Sequence, residues 1–571
     1  MPFNIEGKTT CRGKHLSWRH APLLAKDPLS AWQGLLQARG LQESDAFFSP
    51  ALSDLPDPFL MQDMEKAAMR LTKAVMRKER IHVFGDFDCD GVSGTSILVE
   101  ALRAAGAPVT YSIPHRADDG HGIGIEAVQQ AYASGVSLGL SVDTGTTCLE
   151  ACNVASQLGF DLIITDHHLP DAVLPNAFAL LNPAREDCGF ADGLLCGTGV
   201  AFFLLIAVWK KLSEQNARPD YDLKQLLDRV AMATVADVMK LRGVNRVLVH
   251  FGLQQLRTNP SIGMASLLEV GKIKKNRISC ETIGFHLAPR INAAGRMAHG
   301  EEAMALLSCQ DADEALRLAK GLDVFNKERR KVEADTFKEA VSKLKNPIID
   351  DEINAVLAVY DESWHAGVVG LVAGRLAREY NRPAAVGFVD GQNNVRVSLR
   401  GRPGFHIGEL LHACSDVLLG FGGHAGAGGG TIKAGYWQDF VSSFEQAINH
   451  QQQSGLFANA VVIDGVLTMP ALHIGLASRL QRFEPIGQGN PPCVWILHEV
   501  HIVDVRKLSG GVVRLQLSDG QMFAQAVVFG GGIFEQDLQV GVIVSLLGSL
   551  QPDVFRGGDA VQFVVEDVLR L

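Results

Sequence analysis

The sequence has no CxxC pair, no apolar run long enough for a bilayer and no excess of positive charge. Its ten cysteines are scattered over 571 residues, which excludes a disulfide framework. Cys196, Cys309 and Cys493 sit in apolar stretches, where a small thiol packs as a hydrophobe. Cys148 and Cys152 are spaced for one face of a helix. A reducing compartment, the cytoplasm, is expected. The longest apolar run, Val200 to Trp209, is about half of the roughly 20 residues that a membrane helix needs. The opening MPFNIEGKTTCRGKHLSW lacks the apolar centre and small-residue cleavage site of a signal peptide, so secretion is not expected. With 53 basic and 63 acidic side chains the net charge is −10. That balance argues against a general polyanion binder and leaves room for a locally basic channel. Repeats and low-complexity tracts are absent too. What remains is 47% apolar and 20% charged, an ordinary globular composition, in a chain long enough for about three or four domains.

Residues 80–240 alternate β-rich runs (IHVFGDF, PVTYSI, LGLSVD, FDLIITD, AFALLN) with helical stretches at Ser93–Ala105, Ile125–Ala133 and Thr147–Leu158. This alternation predicts an α/β fold with a parallel sheet covered on both faces, whose ligands bind at the carboxyl ends of the strands. Residues 200–340 read as mostly helical. Asp313 to Lys345 has no proline and many charges, which predicts one connecting helix roughly 50 Å long at 1.5 Å per residue. A second α/β pattern follows Pro347 (INAVLAVYD, a helix after Trp364, PAAVGFV, VRVSL). From about Val461 short alternating strands predict a small β-barrel.

Three strand ends carry chemistry. GDFDCDG places Asp86, Asp88 and Asp90 after one strand, where alternation along an extended chain would bring the carboxylates together. Uncompensated they would repel, and a divalent cation is the natural neutraliser. An EF-hand loop also begins DxDxDG but needs Glu at its twelfth position, which here is Ile97. SVDTGTT places Asp143, and ITDHHLP places Asp166, His167 and His168, at two further strand ends. One such Asp alone reads as a helix cap and a His pair alone as surface polarity. Three in one parallel sheet predict a metal centre. Asp and His without Cys suit Mn²⁺ or Mg²⁺, with carboxylates enough for two ions.

Together with LLCGTGVAFFL, ATVADVMKL, APRINAAGRM, WHAGVVGLVAGRL, FGGHAGAGG and EPIGQGNPPCVW, these motifs resemble, in order, those of the RecJ single-stranded-DNA-specific exonucleases of the DHH phosphoesterase superfamily. The resemblance runs from about residue 45 to the C-terminus. It implies an N-terminal segment (1–75) packing on a DHH catalytic domain (76–312), a connecting helix (313–346), a DHH-associated domain (347–455) and an oligonucleotide-binding barrel, or OB-fold (456–571). The motifs also imply roles. Asp88 and Asp90 would ligate separate ions, with Asp86 beside them, and Asp143 would bridge the two. His167 and Asp237 would complete the second site, and His168 would face the scissile phosphate or orient a ligand. His115, Arg116, Arg290, Asn292 and Arg296 would contact phosphate or backbone. Ser398 and Arg400 would hold the 5′-terminal phosphate, and the amides around His424 would cradle an anion. In the barrel Arg506, Lys507, Arg514, Phe523, Phe529 and Arg556 are candidate strand contacts.

The sequence departs from the family pattern at VRVSLRGRPGF, GHGIG and Ile486, none of which touches the acidic motifs. The function so implied is metal-dependent 5′-to-3′ digestion of single-stranded DNA to mononucleotides in recombination and repair. Implied partners are a single-strand-binding protein and a RecQ-type helicase, around a monomeric enzyme. Two other readings are a small-substrate DHH phosphoesterase, which typically lacks the barrel, and a non-catalytic scaffold, which would have lost its carboxylates.

Overall fold

Five β-rich runs form one parallel sheet in the computed structural model, which describes residues 15–18, 24–114, 122–297, 300–344, 356–433, 435–452, 460–529, 537–553 and 556–569. The strands are β1 (Ile81–Gly85), β2 (Val109–Ser112), β3 (Leu138–Val142), β4 (Asp161–Thr165) and β5 (Ala179–Leu181), in the order β2-β1-β3-β4-β5. Helix α1 (Cys89–Ala104) leaves β1. Alternate side chains face opposite layers. Ile81, Val83, Leu140 and Ile163 enter one core with α1, α2 (Gly197–Glu214) and α3 (Leu227–Ala236). Phe84, Leu162, Ile164 and Leu180 enter a second core on the other face. Burial on both faces explains the near-continuous apolar text of these strands. Each large side chain so buried contributes about 1.5–3 kcal/mol.

Strand order reverses direction between β1 and β3, and such a switch point opens a crevice at the carboxyl ends. The backbone ladder continues one residue past three strands. Asp86 N–H donates to the Val142 carbonyl (3.3 Å), Asp143 N–H to that of Thr165 (2.9 Å) and Asp166 N–H to that of Leu181 (3.0 Å). Three aspartates are thereby stepped across the same edge.

Helix α4 (Ala288–Met297) lies beside this edge, and the charged stretch forms α5 (Ala312–Lys343), about 48 Å long at 1.5 Å per residue. The second α/β layer has β6 (Leu357–Asp361), α6 (Ala366–Tyr380), β7 (Ala384–Val389), β8 (Val395–Arg400), β9 (Leu418–Gly423) and β10 (Ala427–Ile432), in the strand order β9-β10-β8-β7-β6. The glycine-rich segment forms the antiparallel pair β9–β10, with His424 in the turn between them. β9 is an edge strand that pairs with β10 alone, and the turn is closed by His424 N–H donating to the Ala427 carbonyl (2.8 Å).

All this lies in one unit, Ala51–Gly455 with Gly487–Gly489. The other unit takes its described residues from Met1–Pro50, Leu456–Ile486 and Asn490–Leu571. In it β11 (Trp495–Lys507), β12 (Val512–Ser518), β13 (Phe523–Phe529), β14 (Ile543–Pro552) and β15 (Val561–Leu569) pair in the order β12-β13-β15-β14-β11, and a β12–β11 ladder closes the barrel. Of the expected N-terminal segment (1–75), residues 51–75 fall in the first unit, and the described residues up to Pro50 fall in the barrel unit. Helix Pro28–Arg39 buries Trp32 and Leu35 with Leu476 and Phe483 of the barrel unit. Its Arg39 guanidinium grips Asp464 through two hydrogen bonds (2.9 and 2.8 Å). An apolar face with a buried bidentate ion pair decides the docking, and the partners are 425 residues apart in sequence. No helix among the described residues is long and apolar enough to cross a membrane.

Candidate metal centre

The first acidic motif converges differently from the expected extended run. Only Asp86 continues the strand. Asp88 is the N-cap of α1, accepting from the N–H groups of Asp90 (2.8 Å) and Gly91 (3.2 Å), and Asp90 lies inside the first helical turn. A helix turn, and not strand alternation, sets the spacing of Asp88 and Asp90, because the cap satisfies N–H groups that the helix leaves open. Asp90 is fixed from the other side as well. Its carboxylate accepts from the amides of Gly197 (2.7 Å) and Thr198 (2.9 Å) at the start of α2, whose dipole favours an anion there.

Asp143 follows β3 with φ 59°, a left-handed conformation that Asp tolerates better than most side chains. Gly197 packs directly on it. A Cβ added at Gly197 would lie 2.6 Å from the Asp143 Cβ and 2.8 Å from its backbone nitrogen. Backbone cannot yield as a side chain can. Gly197→Ala is therefore expected to cost about 1–3 kcal/mol in denaturant unfolding and to lower activity by displacing Asp143. Unchanged stability and turnover would contradict this packing.

Seven side chains gather at this edge of the sheet. The ligand atoms within each of three groups lie within 4.8 Å of one another: Asp86, Asp88 and Asp143; Asp90, His167 and Asp237; and Asp143, His167 and His168. His167 Nε2 lies 3.1 Å from Asp143 Oδ1, 3.5 Å from Asp237 Oδ2 and 3.8 Å from Asp90 Oδ2. Asp88 and Asp90 fall in different groups, and Asp143 and His167 each belong to two. Asp237 ends α3, and the next residue, Val238, has φ 57°. A β-branched residue held there costs on the order of 1–3 kcal/mol, a strain typical of functional sites.

Electrostatics mark this as a place for cations. Burial, followed by the charges of Asp90, Asp88 and Asp86, drives the Asp143 carboxyl far above the usual range. Burial and Asp90 raise Asp88. Asp237 is pushed up to about 8, first by burial and then by Asp90 and Asp88. Burial lowers His167, favouring the neutral imidazole that can act as a ligand. Asp143 Oδ1 is buried and accepts no hydrogen bond, although His167 Nε2 is near it. Buried carboxylate oxygens without partners are rare, and an oxygen-rich donor set without thiolate suits Mg²⁺ or Mn²⁺. The residues fit a pair of such ions.

His168 is built for a different task. Its Nδ1 is 2.7 Å from Asp166 Oδ1, its side chain is 52% exposed, and that hydrogen bond above all raises it to about 9. Burial works to raise Asp166, but hydrogen bonds from His168 and Thr146 hold it well below the ordinary range. Asn182, at the end of β5, steadies the pair by donating to the His168 carbonyl (2.8 Å) and to Thr146 Oγ1 (2.9 Å). Sequence reasoning placed Asp166 in the strand-end cluster without a role of its own and did not single out Asn182 or Thr198. The signal available was position, since Asp166 and Asn182 each close a strand.

The expected phosphate contacts divide. His115 and Arg116 lie outside the described residues. Arg290 gives its fork to Asp323 of α5 (Nε 3.0 Å, Nη2 2.8 Å), the salt bridge that any such Arg can make in place of a phosphate contact. Asn292 Oδ1 accepts from Cys89 N–H (2.8 Å), and Arg296 Nη1 donates to the Gly367 carbonyl (3.0 Å). Arg400 Nη1 donates to Ser398 Oγ (3.1 Å), so these two adjoin as expected of neighbours on one strand face. His424 is exposed.

Comparison with known proteins agrees with this geometry. Residues 80–234 match the DHH family N-terminal domain, 353–450 the DHHA1 domain and 463–567 the RecJ OB domain. The chain is 33% identical over 561 residues to the single-stranded-DNA-specific exonuclease RecJ of Dickeya dadantii, covering 94% of each. It is 31% identical over 539 residues to the RecJ of Bacillus subtilis, covering 93% of this chain and 67% of that one. The crystal structure of RecJ in complex with Mn²⁺ from Thermus thermophilus matches with a TM-score of 0.79 at 28% identity, over 96% of this chain and 79% of that one. With its catalytic-edge aspartates, its second α/β layer and its closed barrel all accounted for, this chain belongs to the RecJ family.

Proposed function

We propose that this protein is a divalent-metal-dependent exonuclease that digests single-stranded DNA from the 5′ end to mononucleotides, in recombination and repair. The observation that carries the reading is the buried Asp143 oxygen, which accepts no hydrogen bond, amid carboxylates driven toward protonation. The relatives' activity and the Mn²⁺-bound neighbour support it. Asp86, Asp88 and Asp143 would hold one ion, and Asp90, His167 and Asp237 the other, with Asp143 bridging. When bound, two Mn²⁺ or Mg²⁺ ions neutralise the phosphodiester and lower the pKa of the attacking water. His168, kept protonated by Asp166, presents Nε2–H to the scissile phosphate or the departing oxygen. Asp90 and Asp88, tied to helix amides, keep their orientation without rearrangement.

Ser398 and Arg400 would receive the 5′ phosphate, and Arg296, His115, Arg116 and the His424 turn would line the path. Arg290, occupied by Asp323, is assigned a structural part. Digestion of single strands requires unwound substrate, so a RecQ-type helicase and a single-strand-binding protein remain the partners of this reading. The enzyme itself acts as a monomer, and ten cysteines scattered without a disulfide framework fit the cytoplasm.

Parallel digestions of 5′-labelled and 3′-labelled single strands, in Mn²⁺ and in EDTA, test the proposal. The 5′ label should appear first, as mononucleotide, and only with metal. Prior release of the 3′ label, or equal digestion of duplex, would overturn it.

A further inference from the structure

Helix α4 meets three neighbours through three polar side chains that the sequence associates with phosphate. Arg290 binds Asp323 on α5, and Arg296 binds the Gly367 carbonyl at the start of α6. Asn292 points to the acidic loop, where its side-chain oxygen accepts from Cys89 N–H. Gly295, three residues on and so on the same helix face, brings the two backbones together. A Cβ there would lie 2.7 Å from the Phe87 carbonyl oxygen.

Cys89 stands between Asp88 and Asp90. The Asp88 carboxylate caps the Asp90 and Gly91 N–H groups, and it leaves Cys89 N–H, the first of the helix, to another acceptor. Asn292 is that acceptor. The bond fixes the one peptide unit from which the two ligating carboxylates diverge into separate groups.

We infer that Asn292 is a positioning residue. It presets Asp88 and Asp90 for the two ions through the Cys89 amide, and it does not act as a contact to DNA. The inference rests on the metal-nuclease reading. Groups that orient metal ligands typically change affinity by about 10–100-fold when removed.

Calorimetric Mn²⁺ titration of the full-length protein tests this, alongside binding of a 5′-phosphorylated single strand measured by fluorescence anisotropy in EDTA. Asn292→Ala removes the acceptor and should weaken Mn²⁺ binding by about tenfold or more. DNA binding in EDTA should stay at the wild-type level. Asn292→Asp keeps an acceptor oxygen and should restore Mn²⁺ affinity to the wild-type value or better. A DNA-contacting amide would behave in the opposite way. Both variants would then lose DNA affinity, the Asp variant more so because its charge repels phosphate, and Mn²⁺ binding would not change. That pattern, or wild-type Mn²⁺ affinity in Asn292→Ala, overturns the inference. If Asn292→Ala does not fold, the Asp variant decides alone, since loss of its Mn²⁺ affinity would overturn the inference equally. A wild-type protein that binds no Mn²⁺ would instead sink the metal-nuclease reading itself.

Discussion

Asp143→Asn should yield a protein that resists heat better than the wild type in EDTA and has no nuclease activity. The two effects share one cause. In the metal-free fold Asp143 is a buried carboxylate facing Asp86, Asp88 and Asp90, with one oxygen unpartnered. Burial and like charges force this carboxyl to hold a proton that the unfolded chain gives up, a cost at neutral pH that an amide escapes, so the substitution should stabilise the metal-free state by about 1–3 kcal/mol. Asn nearly preserves the volume and adds no cavity. With metal the sign reverses. The bridging ligand is gone, and several kcal/mol of transition-state stabilisation go with it, which is about a thousandfold or more in rate. Differential scanning calorimetry in EDTA and in Mn²⁺, with initial rates on a labelled single strand, reads both. Substantial residual activity would remove Asp143 from the bridging position. A lower midpoint in EDTA would mean that its charge is compensated within the protein.

Much of this centre is legible in the text of the chain because a parallel sheet is a strong encoder. Apolar runs that stop on Asp or His mark strand ends, and parallel strands bring their carboxyl ends to one edge. Asp86, Asp143 and His167 could therefore be grouped although long stretches of chain separate them. Long-range partnership was not legible. An Arg that faces phosphate and an Arg that faces Asp323 read alike, and so do an amide that touches DNA and one that holds Cys89 N–H. Glycines that permit an anion cradle equally permit two flat strands, and the letters alone did not reveal the β9–β10 pairing. The docking of helix Pro28–Arg39 depends on Trp32 and on the Arg39–Asp464 pair, whose partner residues lie at the far end of the chain. Three acidic residues at alternate positions, Asp86, Asp88 and Asp90, invited an argument from strand alternation. The local signal for a helix cap, Asp88 before a helical run, was equally present in the same letters.

Mn²⁺ should stabilise the protein more at pH 8 than at pH 6, and the metal-free protein should show the opposite trend. Asp237 has its carboxyl raised to about 8 in the fold, against 3.8 as the ordinary value, and Asp143 and Asp88 move in the same direction. An acid with a raised folded pKa holds its proton in the native state after the unfolded chain has lost it. Between pH 4 and 8 the native state therefore binds more protons, and stability falls as pH rises. The metal-free protein should lose stability across that window, because the unfolded chain ionises these carboxylates while the fold keeps them protonated. Ions compete with these same protons, because a carboxylate must be deprotonated to ligate and metal binding releases what it held. Raising the pH therefore tightens binding while it weakens the empty fold. At one hundred times the dissociation constant each ion adds about 2.7 kcal/mol, so the difference in unfolding midpoint with and without Mn²⁺ should widen steadily from pH 6 to pH 8. Proton release on Mn²⁺ addition, measured calorimetrically in buffers of different ionisation enthalpy, should accompany it and should be smaller in Asp143→Asn, which leaves Asp237 and Asp88 to supply the rest. A midpoint difference that is flat with pH, or that narrows, would mean that the cluster is already ionised and neutralised by the protein's own cations. The case for a metal centre at these strand ends would then fail.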